Sequence, residues 1–468
     1  MLDITGTYTD QYQITMGQVY FQKGHTRDVA VFDYFFRKLP FDGGYAIFAG
    51  LDNLLNTLKD LRFTEEDIEF LKSLNLDKDY LEYLKNFRFR GKIYSCTEGE
   101  VVFPGEPVVR VEANIIEAQI IETLLLNILN FETLIATKAS RMSVQAKGRK
   151  LIDFGLRRAQ GFGGYHASRA AFIGGFEATS NTRAGRDFGF PVSGTMAHSF
   201  IQSYDDELTA FRDFAESHPQ NTILLVDTYD TLKSGVPNAI KVGKEMEARG
   251  QKLKGIRLDS GDLAYLSRKS REMLDEAGLQ YVKIAASNQL DEHLIKSLLD
   301  QDAPIDTFGV GTSLVTGKPD AALDGVYKLS FFRDKPRIKL SETIAKVTLP
   351  HKKQVYRMLD HKGNFSGADV VTLAHETNPE MMFHPFDPLK HLNIGALQKE
   401  ALLKKVMEDG KLFDVESDIE KIAEFSRERL KKLPQEYKRF FNPHIYKVGI
   451  SEKLKQERDR LIQEHKIK

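Results

Sequence analysis

Four stretches decide the fold: TILLVDTYDT at 222–231, GIRLDSGDL at 255–263, YVKIAASNQ at 281–289 and IDTFGVGTS at 305–313. Each begins with a short apolar run and changes to polar residues where the run ends. Helical patterns follow the first three stretches, at 237–248, 263–277 and 291–299. Short buried strands that alternate with helices are typical of βαβ units, so these stretches predict a parallel sheet.

The polar residues at the four strand ends are expected to meet at one edge of this sheet. In α/β barrels the edge at the carboxyl ends of the strands carries the active site. Carboxylates gathered there favour a Mg²⁺-phosphate substrate, with Asp227 and Asp259 as candidate metal ligands. The alternative for each Asp taken alone is a helix N-cap. The strand-end residues are Asp227, Asp230, Asp259, Asp262, Ser287, Asn288, Thr312 and Ser313.

Two further segments suit the binding of anions. The run from Gly309 to Ser313, which includes Gly311 and Thr312, offers backbone N–H groups and hydroxyls as a phosphate cradle. In GLRRAQGFGG at 155–164, the adjacent Arg157 and Arg158 follow a short strand in a glycine-rich loop. A pair of solvated arginines is the alternative interpretation of the second segment. A helix is predicted after that loop, from Tyr165 to Asn181.

The segment PVSGTMAHSF at 191–200 places His198 where a loop meets a helical run from Ile201 to Phe214. Free backbone N–H groups at such a junction bind anions, so His198 is a candidate nucleophile toward a phosphoryl group. A histidine that only caps or packs the helix is the alternative, since a single histidine is weak evidence of a site.

The rest of the chain predicts two flanking domains. Residues 1–112 read as an α+β sandwich-like domain that begins with a helix from Thr9 to Tyr20, whose apolar positions are Tyr12, Met16 and Val19. Residues 113–325 then form an irregular (β/α) barrel, introduced by a long helix from Ile115. Residues 326–468 form antiparallel strands and a charged helical tail, interpreted as a solvated cap or an oligomer arm, partly packed on the N-terminal domain. The predicted fold class is α/β.

The composition of the chain excludes several classes of function. The 468 residues contain 66 Lys and Arg against 66 Asp and Glu, which argues against a general nucleic-acid or membrane-surface binder. The single cysteine, Cys96, excludes intrachain disulfides and a cysteine-based zinc site. We therefore expect a cytoplasmic protein, without a signal peptide at the N-terminus and without an apolar run of about 20 residues that could span a bilayer.

Taken in order along nearly the whole chain, these motifs resemble the nicotinate phosphoribosyltransferases, type II phosphoribosyltransferases of NAD synthesis. Any one motif is weak, but so many in the same order are specific. The resemblance rests on TDQYQITMGQVYF at 9–21, VFDYFFRKLPFDGGYAIFAGL at 31–51, FGLRRAQG at 154–161, SGTMAHSF at 193–200, LLVDTYDT at 224–231, GIRLDSGDL at 255–263, FGVGTSLVT at 308–316 and RFFNPHIYKVGIS at 439–451.

The resemblance implies that nicotinate and phosphoribosyl pyrophosphate give nicotinate mononucleotide and pyrophosphate, with ATP hydrolysis coupled and Mg²⁺ required. This is the first step of NAD synthesis from nicotinate. It implies that ATP phosphorylates His198, and that Asp227 and Arg257 belong to the ribose and pyrophosphate site. It also implies a homodimer with shared active sites. The implied nicotinate contacts are Tyr12 (from the partner subunit), Arg157 and Thr195, and the implied phosphoribosyl contacts are Arg257, Gly311 and Thr312.

Two other classes of function remain open on the residues alone. Another barrel enzyme acting on a phosphorylated sugar, such as an isomerase or aldolase, would be favoured by a Schiff-base lysine at a strand end, and the sequence has no obvious one. A binding protein that senses a metabolite without turnover would be favoured by the loss of a motif residue, and none is lost.

Overall fold

The computed structural model describes residues 3–343, 346–387 and 389–466. The chain forms two compact units. The first unit consists of Met1–Thr137 together with Ala322–Lys468, and the second unit consists of Lys138–Ala321. The first unit thus joins the two segments that the sequence assigned to separate flanking domains, because their strands pair in one sheet. The three predicted domains, at 1–112, 113–325 and 326–468, stay a prediction.

The N-terminal part of the chain supplies helices and short strands in alternation. In order they are α1 (Gln11–Gln22), β1 (Val29–Phe36), β2 (Ala46–Ile47), α2 (Leu51–Asp60), α3 (Glu65–Ser73), α4 (Lys78–Lys85), β3 (Lys92–Ser95), β4 (Val101–Val102), β5 (Val109–Asn114), α5 (Ile115–Ile120) and α6 (Glu122–Ala146).

The predicted βα alternation is present in the second unit. Its elements are β6 (Lys150–Asp153), α7 (Gly163–Ile173), β7 (Ala178–Thr179), α8 (Thr182–Phe188), α9 (His198–Gln202), α10 (Glu207–Ser217), β8 (Ile223–Leu225), α11 (Val236–Ala248), β9 (Gly255–Leu258), α12 (Leu263–Glu276), β10 (Lys283–Ala286), α13 (Glu292–Asp300), β11 (Thr307–Val310) and α14 (Thr312–Val315).

The C-terminal part is mainly strands. They are β12 (Gly325–Phe332), β13 (Lys335–Pro336), β14 (Lys353–Leu359), β15 (Phe365–Leu373), β16 (Met381–Phe383), β17 (His391–Asn393), β18 (Gln398–Ala401), β19 (Lys404–Glu408), β20 (Lys411–Leu412) and β21 (Lys447–Ser451), with helices α15 (Ile419–Lys432) and α16 (Glu452–Lys466).

A seven-stranded sheet joins the two ends of the chain in the first unit. Its order is β13-β12-β1-β5-β3-β19-β20. In this sheet β12 pairs antiparallel with β1, and β19 pairs antiparallel with β3. The rings of Phe32 and Tyr327 stack with centroids 4.7 Å apart across the first of these pairs. Burial of such aromatic pairs stabilises the sheet beyond its backbone hydrogen bonds.

The second unit is built on a parallel sheet of order β7-β6-β11-β10-β9-β8. The four predicted strands 222–226, 255–258, 281–286 and 305–310 are confirmed as its members β8 to β11, which leaves every carboxyl end at one edge. The fold is mixed α/β. Among the described residues no backbone hydrogen bonds pair the outer strands β7 and β8, so closure of this sheet into a barrel stays a proposal.

Three local predictions were wrong in part. The helix predicted from Tyr165 ends at Ile173, because Gly175 takes φ +105° and β7 follows. The helical run predicted from Ile201 to Phe214 is interrupted, because Asp206 is extended and accepts the Thr209 N–H as the cap of α10. The C-terminal tail, predicted to be helical with an interruption at residues 442–444, also contains the strand β21, which pairs parallel with β15.

The N-terminal helix is confirmed as α1, but its buried face is not the predicted one. Gln13, Ile14 and Gly17 are buried, whereas Tyr12, Met16 and Val19 are exposed. The buried Gln13 side chain donates to Glu122 Oε2 at 2.9 Å, and the Gln13 backbone carbonyl accepts the Gln119 amide at 2.7 Å. The apolar stripe formed by Tyr12, Met16 and Val19 therefore faces away from the core of the first unit.

None of the described helices combines the length and the apolar character that crossing a bilayer would require.

Candidate active site

His198 is the first residue of α9 and follows the extended Ala197. Its Nδ1 lies 3.1 Å from the Thr228 hydroxyl. Its Nε2 lies 3.9 Å from Asp227 Oδ1 and 3.8 Å from Asp259 Oδ2. The side chain is 39% exposed. One ring nitrogen is thus held by a hydroxyl, while the other points between two carboxylates at a place that solvent can reach.

Asp227 follows β8 and is almost fully buried. Its Oδ2 accepts the Asp259 N–H at 2.9 Å and the Ser260 hydroxyl at 2.6 Å. Its Oδ1 is buried and has no hydrogen-bond partner among the described residues. A buried carboxylate oxygen without a donor is costly, so this atom is suited to a cation or to a water.

Arg257 lies in β9 and connects three parts of the site. Its Nε donates to Ser287 Oγ at 2.8 Å, its Nη2 to Asp259 Oδ1 at 2.7 Å and its Nη1 to Thr195 Oγ1 at 3.2 Å. A guanidinium has five N–H donors. The described residues use three of them, so two remain for a bound anion.

Asp259 is held in its charged form. Burial alone would raise its pKa, but a hydrogen bond from Ser287 and the charge of Arg257 together bring the pKa below its ordinary value. Both partners contact the same oxygen, Oδ1. The other oxygen, Oδ2, faces His198 and is the one available to a ligand.

The Phe154 ring forms part of the floor under Arg257. The guanidinium carbon lies 5.4 Å from the centroid of this ring. A Cβ added at Gly309 would lie 2.3 Å from the same ring. Residue 309 must therefore be glycine for β11 to pass so close to Phe154, which explains one glycine of the predicted phosphate cradle.

Among the described residues, the other predicted contacts of the second unit, Arg157, Gly311 and Thr312, make no hydrogen bond to this cluster. Arg157 lies in the 3-10 turn Leu156–Arg158 after β6, and Gly311 and Thr312 follow β11, which pairs with β6. The side chains of Arg157 and Thr312 are exposed, and within the described residues neither bonds to the cluster. Tyr12 belongs to the first unit, where it is 48% exposed on α1.

Two strand-end aspartates have the alternative role. Asp230 accepts the N–H groups of Leu232 and Lys233. Asp262 accepts the N–H of Tyr265 and caps α12. One oxygen of each carboxylate thus binds the backbone of its own helical segment, as the capping alternative predicts, and a role of these two residues in the active site stays a prediction.

Sequence reasoning missed Thr228 and Ser260. Each directly follows a strand-end aspartate that it had singled out, and each supplies a hydroxyl to the site, Thr228 to His198 and Ser260 to Asp227. The signal available was only their position next to those aspartates.

The donor set fits Mg²⁺ held partly by a substrate. The described residues contain no group of three or more His, Cys, Asp or Glu side chains arranged to hold a metal ion. Mg²⁺ is commonly bound through one or two carboxylates plus substrate phosphates. Asp227 Oδ1, which has no donor, and Asp259 Oδ2 provide two such carboxylate oxygens.

Comparison with known proteins shows which family this chain belongs to. The fold matches the crystal structure of human nicotinic acid phosphoribosyltransferase with a TM-score of 0.87 and 29% identity, over 97% of this chain and 99% of that one. Fold and site together define an enzyme of the phosphoribosyltransferase class. Family models of the nicotinate phosphoribosyltransferase (NAPRTase) N-terminal domain, the NAPRTase family and the C-terminal domain match residues 7–130, 149–333 and 352–458. The chain belongs to the nicotinate phosphoribosyltransferase family.

Curated relatives cover the chain almost completely. Nicotinate phosphoribosyltransferase of Bacillus subtilis (strain 168) is 44% identical in an alignment that covers 96% of this chain and 94% of that protein. Nicotinate phosphoribosyltransferase of Caenorhabditis elegans is 36% identical in an alignment that covers 96% of this chain and 92% of that protein. The resemblance seen in the motifs is thereby confirmed.

Proposed function

We propose that this protein transfers the 5-phosphoribosyl group of phosphoribosyl pyrophosphate to the ring nitrogen of nicotinate. The products are nicotinate mononucleotide and pyrophosphate, and the step is the first in NAD synthesis from nicotinate. The observation that carries the proposal is the cluster of Arg257, Asp227 and Asp259 around His198 at the carboxyl edge of the parallel sheet. The names of the full-length relatives support the choice of nicotinate.

Displacement at C1 of the ribose passes through an oxocarbenium-like state and needs little covalent help. It needs the charge of the departing pyrophosphate to be neutralised and the pyridine nitrogen to be oriented. We assign the first task to Arg257, whose two remaining N–H donors can bind an anion, together with Mg²⁺ on Asp227 and Asp259. The ion would supply charge neutralisation at the phosphates.

Binding of the two substrates is assigned to the segments around this cluster. Thr195 and Arg157 would contact the carboxylate ring substrate, and an arginine fork there would reject the neutral amide. Gly311 and Thr312 would bind the 5′-phosphate at the end of β11. Closure of the parallel sheet into an irregular barrel would bring these segments into a ring.

We further propose that His198 carries a phosphoryl group during ATP coupling. An imidazole nitrogen would attack the γ-phosphorus of ATP, the bond to the β-γ bridging oxygen would break, and ADP would leave. Water would later cleave the phosphorus–nitrogen bond and release phosphate. Exposure of the ring and its hydrogen bond to Thr228 support this role, since a nucleophile must be accessible and oriented.

A homodimer in the cytoplasm is part of the same proposal. The stripe of Tyr12, Met16 and Val19 on α1 is exposed. Apolar surface of this kind is suited to contact with a second copy of the chain, through which Tyr12 would stack on the nicotinate ring of the partner's site.

The deciding experiment supplies the purified protein with phosphoribosyl pyrophosphate, Mg²⁺ and either nicotinate or nicotinamide, with and without ATP. We expect nicotinate mononucleotide from nicotinate, and more of it with ATP. Product from nicotinamide alone would overturn the choice of substrate. With γ-labelled ATP we expect an acid-labile, base-stable label, and a label that persists in His198→Ala would refute the phosphohistidine.

A further inference from the structure

Asp153, the last residue of β6, is a buried carboxylate bound only by neutral donors among the described residues. It is 1% exposed. Its Oδ1 accepts the Gly155 N–H at 2.7 Å, and its Oδ2 accepts the hydroxyls of Ser168 at 2.7 Å and Thr179 at 2.8 Å. Burial raises the pKa of Asp153, although these three donors partly oppose the shift. A buried polar group whose hydrogen bonds are satisfied rigidifies the segments that it joins.

The first geometry is that of the loop at 154–164, here called the Arg157 loop. The bond from Gly155 fixes the turn directly after β6, and Gly155 O then accepts the Arg158 N–H at 2.8 Å, which closes the 3-10 turn carrying Arg157. At the far end of the loop, the Ser168 hydroxyl lies 2.9 Å from Gly164 O and 2.7 Å from Asp153 Oδ2, so its single hydrogen is shared between these two acceptors. Both ends of the loop are therefore connected to Asp153, directly or through Ser168.

The second geometry is that of residues 191–197, here called the Thr195 arm. The Thr179 N–H donates to Pro191 O at 3.1 Å, and the Ser193 N–H donates to Thr179 O at 2.8 Å. The arm thus lies along β7 beside the residue whose hydroxyl binds Asp153. Thr195 follows two residues after this attachment.

We propose that Asp153 is a positioning residue that fixes the Arg157 loop and the Thr195 arm relative to each other, and thereby sets the affinity for the ring substrate. The proposal rests on the proposed function, in which Arg157 and Thr195 both contact nicotinate. Two contacts on separate segments bind a small rigid anion well only if a common support holds both in register. Asp153 gives that support from within the sheet, without touching the substrate.

The first test compares Asp153→Ala with Asp153→Asn by hydrogen–deuterium exchange. The alanine removes all three acceptor contacts, so we expect exchange in both 154–164 and 191–197 to become at least about tenfold faster. The asparagine retains an oxygen for Gly155, and its amide can donate to a hydroxyl, so we expect exchange within about threefold of the unaltered protein. Residues 255–258 of β9 serve as the internal reference.

The second test measures the KM of each substrate. We expect Asp153→Ala to raise the KM for nicotinate at least about tenfold and to change that for phosphoribosyl pyrophosphate less than about threefold, with recovery in Asp153→Asn. Asp306→Ala is the matched control, because this carboxylate also accepts a backbone N–H, that of Ile284, but at the amino edge of the same sheet. It should leave both KM values unchanged.

If Asp153→Ala does not fold, the variant Thr179→Val still tests the proposal. This change of similar volume removes one bond to Asp153, so exchange should accelerate in 191–197 and not in 154–164. Equal changes in both KM values, or faster exchange in only one segment of Asp153→Ala, would overturn the positioning role. Failure of the unaltered protein to form nicotinate mononucleotide would instead overturn the proposed function, and the exchange data would still decide whether Asp153 holds both segments.

Discussion

Replacement of Arg257 by lysine tests the centre of the site while conserving its charge. The guanidinium bonds Ser287, Asp259 and Thr195 at once. A lysine ammonium on a shorter, unforked side chain can retain the ion pair with Asp259 but cannot reach the other two hydroxyls in the same geometry. Two charge-assisted hydrogen bonds are therefore lost, together with the forked donors proposed to bind pyrophosphate.

The magnitude follows from these bonds. At about 1.5 kcal/mol for each hydrogen bond to a charged group, the loss of two amounts to roughly 3 kcal/mol. If that orientation is required in the transition state, kcat/KM for phosphoribosyl pyrophosphate should fall by about 100-fold. The 100-fold loss is a lower bound, because the substitution also alters the two N–H donors that are free to bind the substrate in the desolvated site.

The assay is steady-state kcat/KM for phosphoribosyl pyrophosphate, accompanied by thermal unfolding. Arg271→Lys is the matched control, because Arg271 also makes three hydrogen bonds in the same unit, to Asp275, Val282 O and Leu279 O. We expect the control to lose stability and to keep its kcat/KM. A kcat/KM of Arg257→Lys within about threefold of the unaltered protein, or an equal loss in the control, would refute the reasoning.

Three further predictions concern the surrounding groups. Thr228→Val removes the hydroxyl on His198 and should slow labelling by γ-labelled ATP about fivefold, for a lost bond of about 1 kcal/mol; an unchanged labelling rate would exclude an orienting role. Asp259→Asn tests pH dependence. Because Ser287 and Arg257 lower the pKa of Asp259 despite its burial, its charge contributes stability above the unfolded pKa of about 3.9 that is lost as the pH falls through the lower folded value. The difference in thermal unfolding between the two proteins should therefore be full at neutral pH and shrink below about pH 4; a constant difference would contradict this. Removal of Mg²⁺ with EDTA should abolish product and its re-addition should restore it, whereas activity that survives chelation would exclude the metal.

The parallel sheet and the core of the site could be predicted because both depend on local pattern. Strands β8 to β11 are apolar runs that end in polar residues, and that pattern already identified Asp227 and Asp259. The same pattern could not separate Asp230 and Asp262 from them. An aspartate between a strand and a helix suits a site and a cap equally, and only the observed N–H partners reveal the cap.

The rest depended on contacts between distant parts of the chain. The bridge from Arg257 to Ser287 and Thr195 joins three segments that sequence spacing does not relate. The face of α1 was misjudged because Gln13, a polar residue, is buried through side-chain hydrogen bonds. Periodicity counts apolar residues and cannot detect a buried amide that donates to a carboxylate far away in the sequence.

The pairing of β1 with β12, and of β3 with β19, has a consequence for synthesis on the ribosome. Residues 138–321 emerge as a stretch that contains all strands of its own sheet, so that unit can fold early. The first unit must wait for β12 and β19, and until then its earlier strands present unpaired backbone edges. Translation that stopped before β19 would release a chain in which one edge of β3 has no partner strand. Such an unpaired edge is a template for aggregation and a target for quality control.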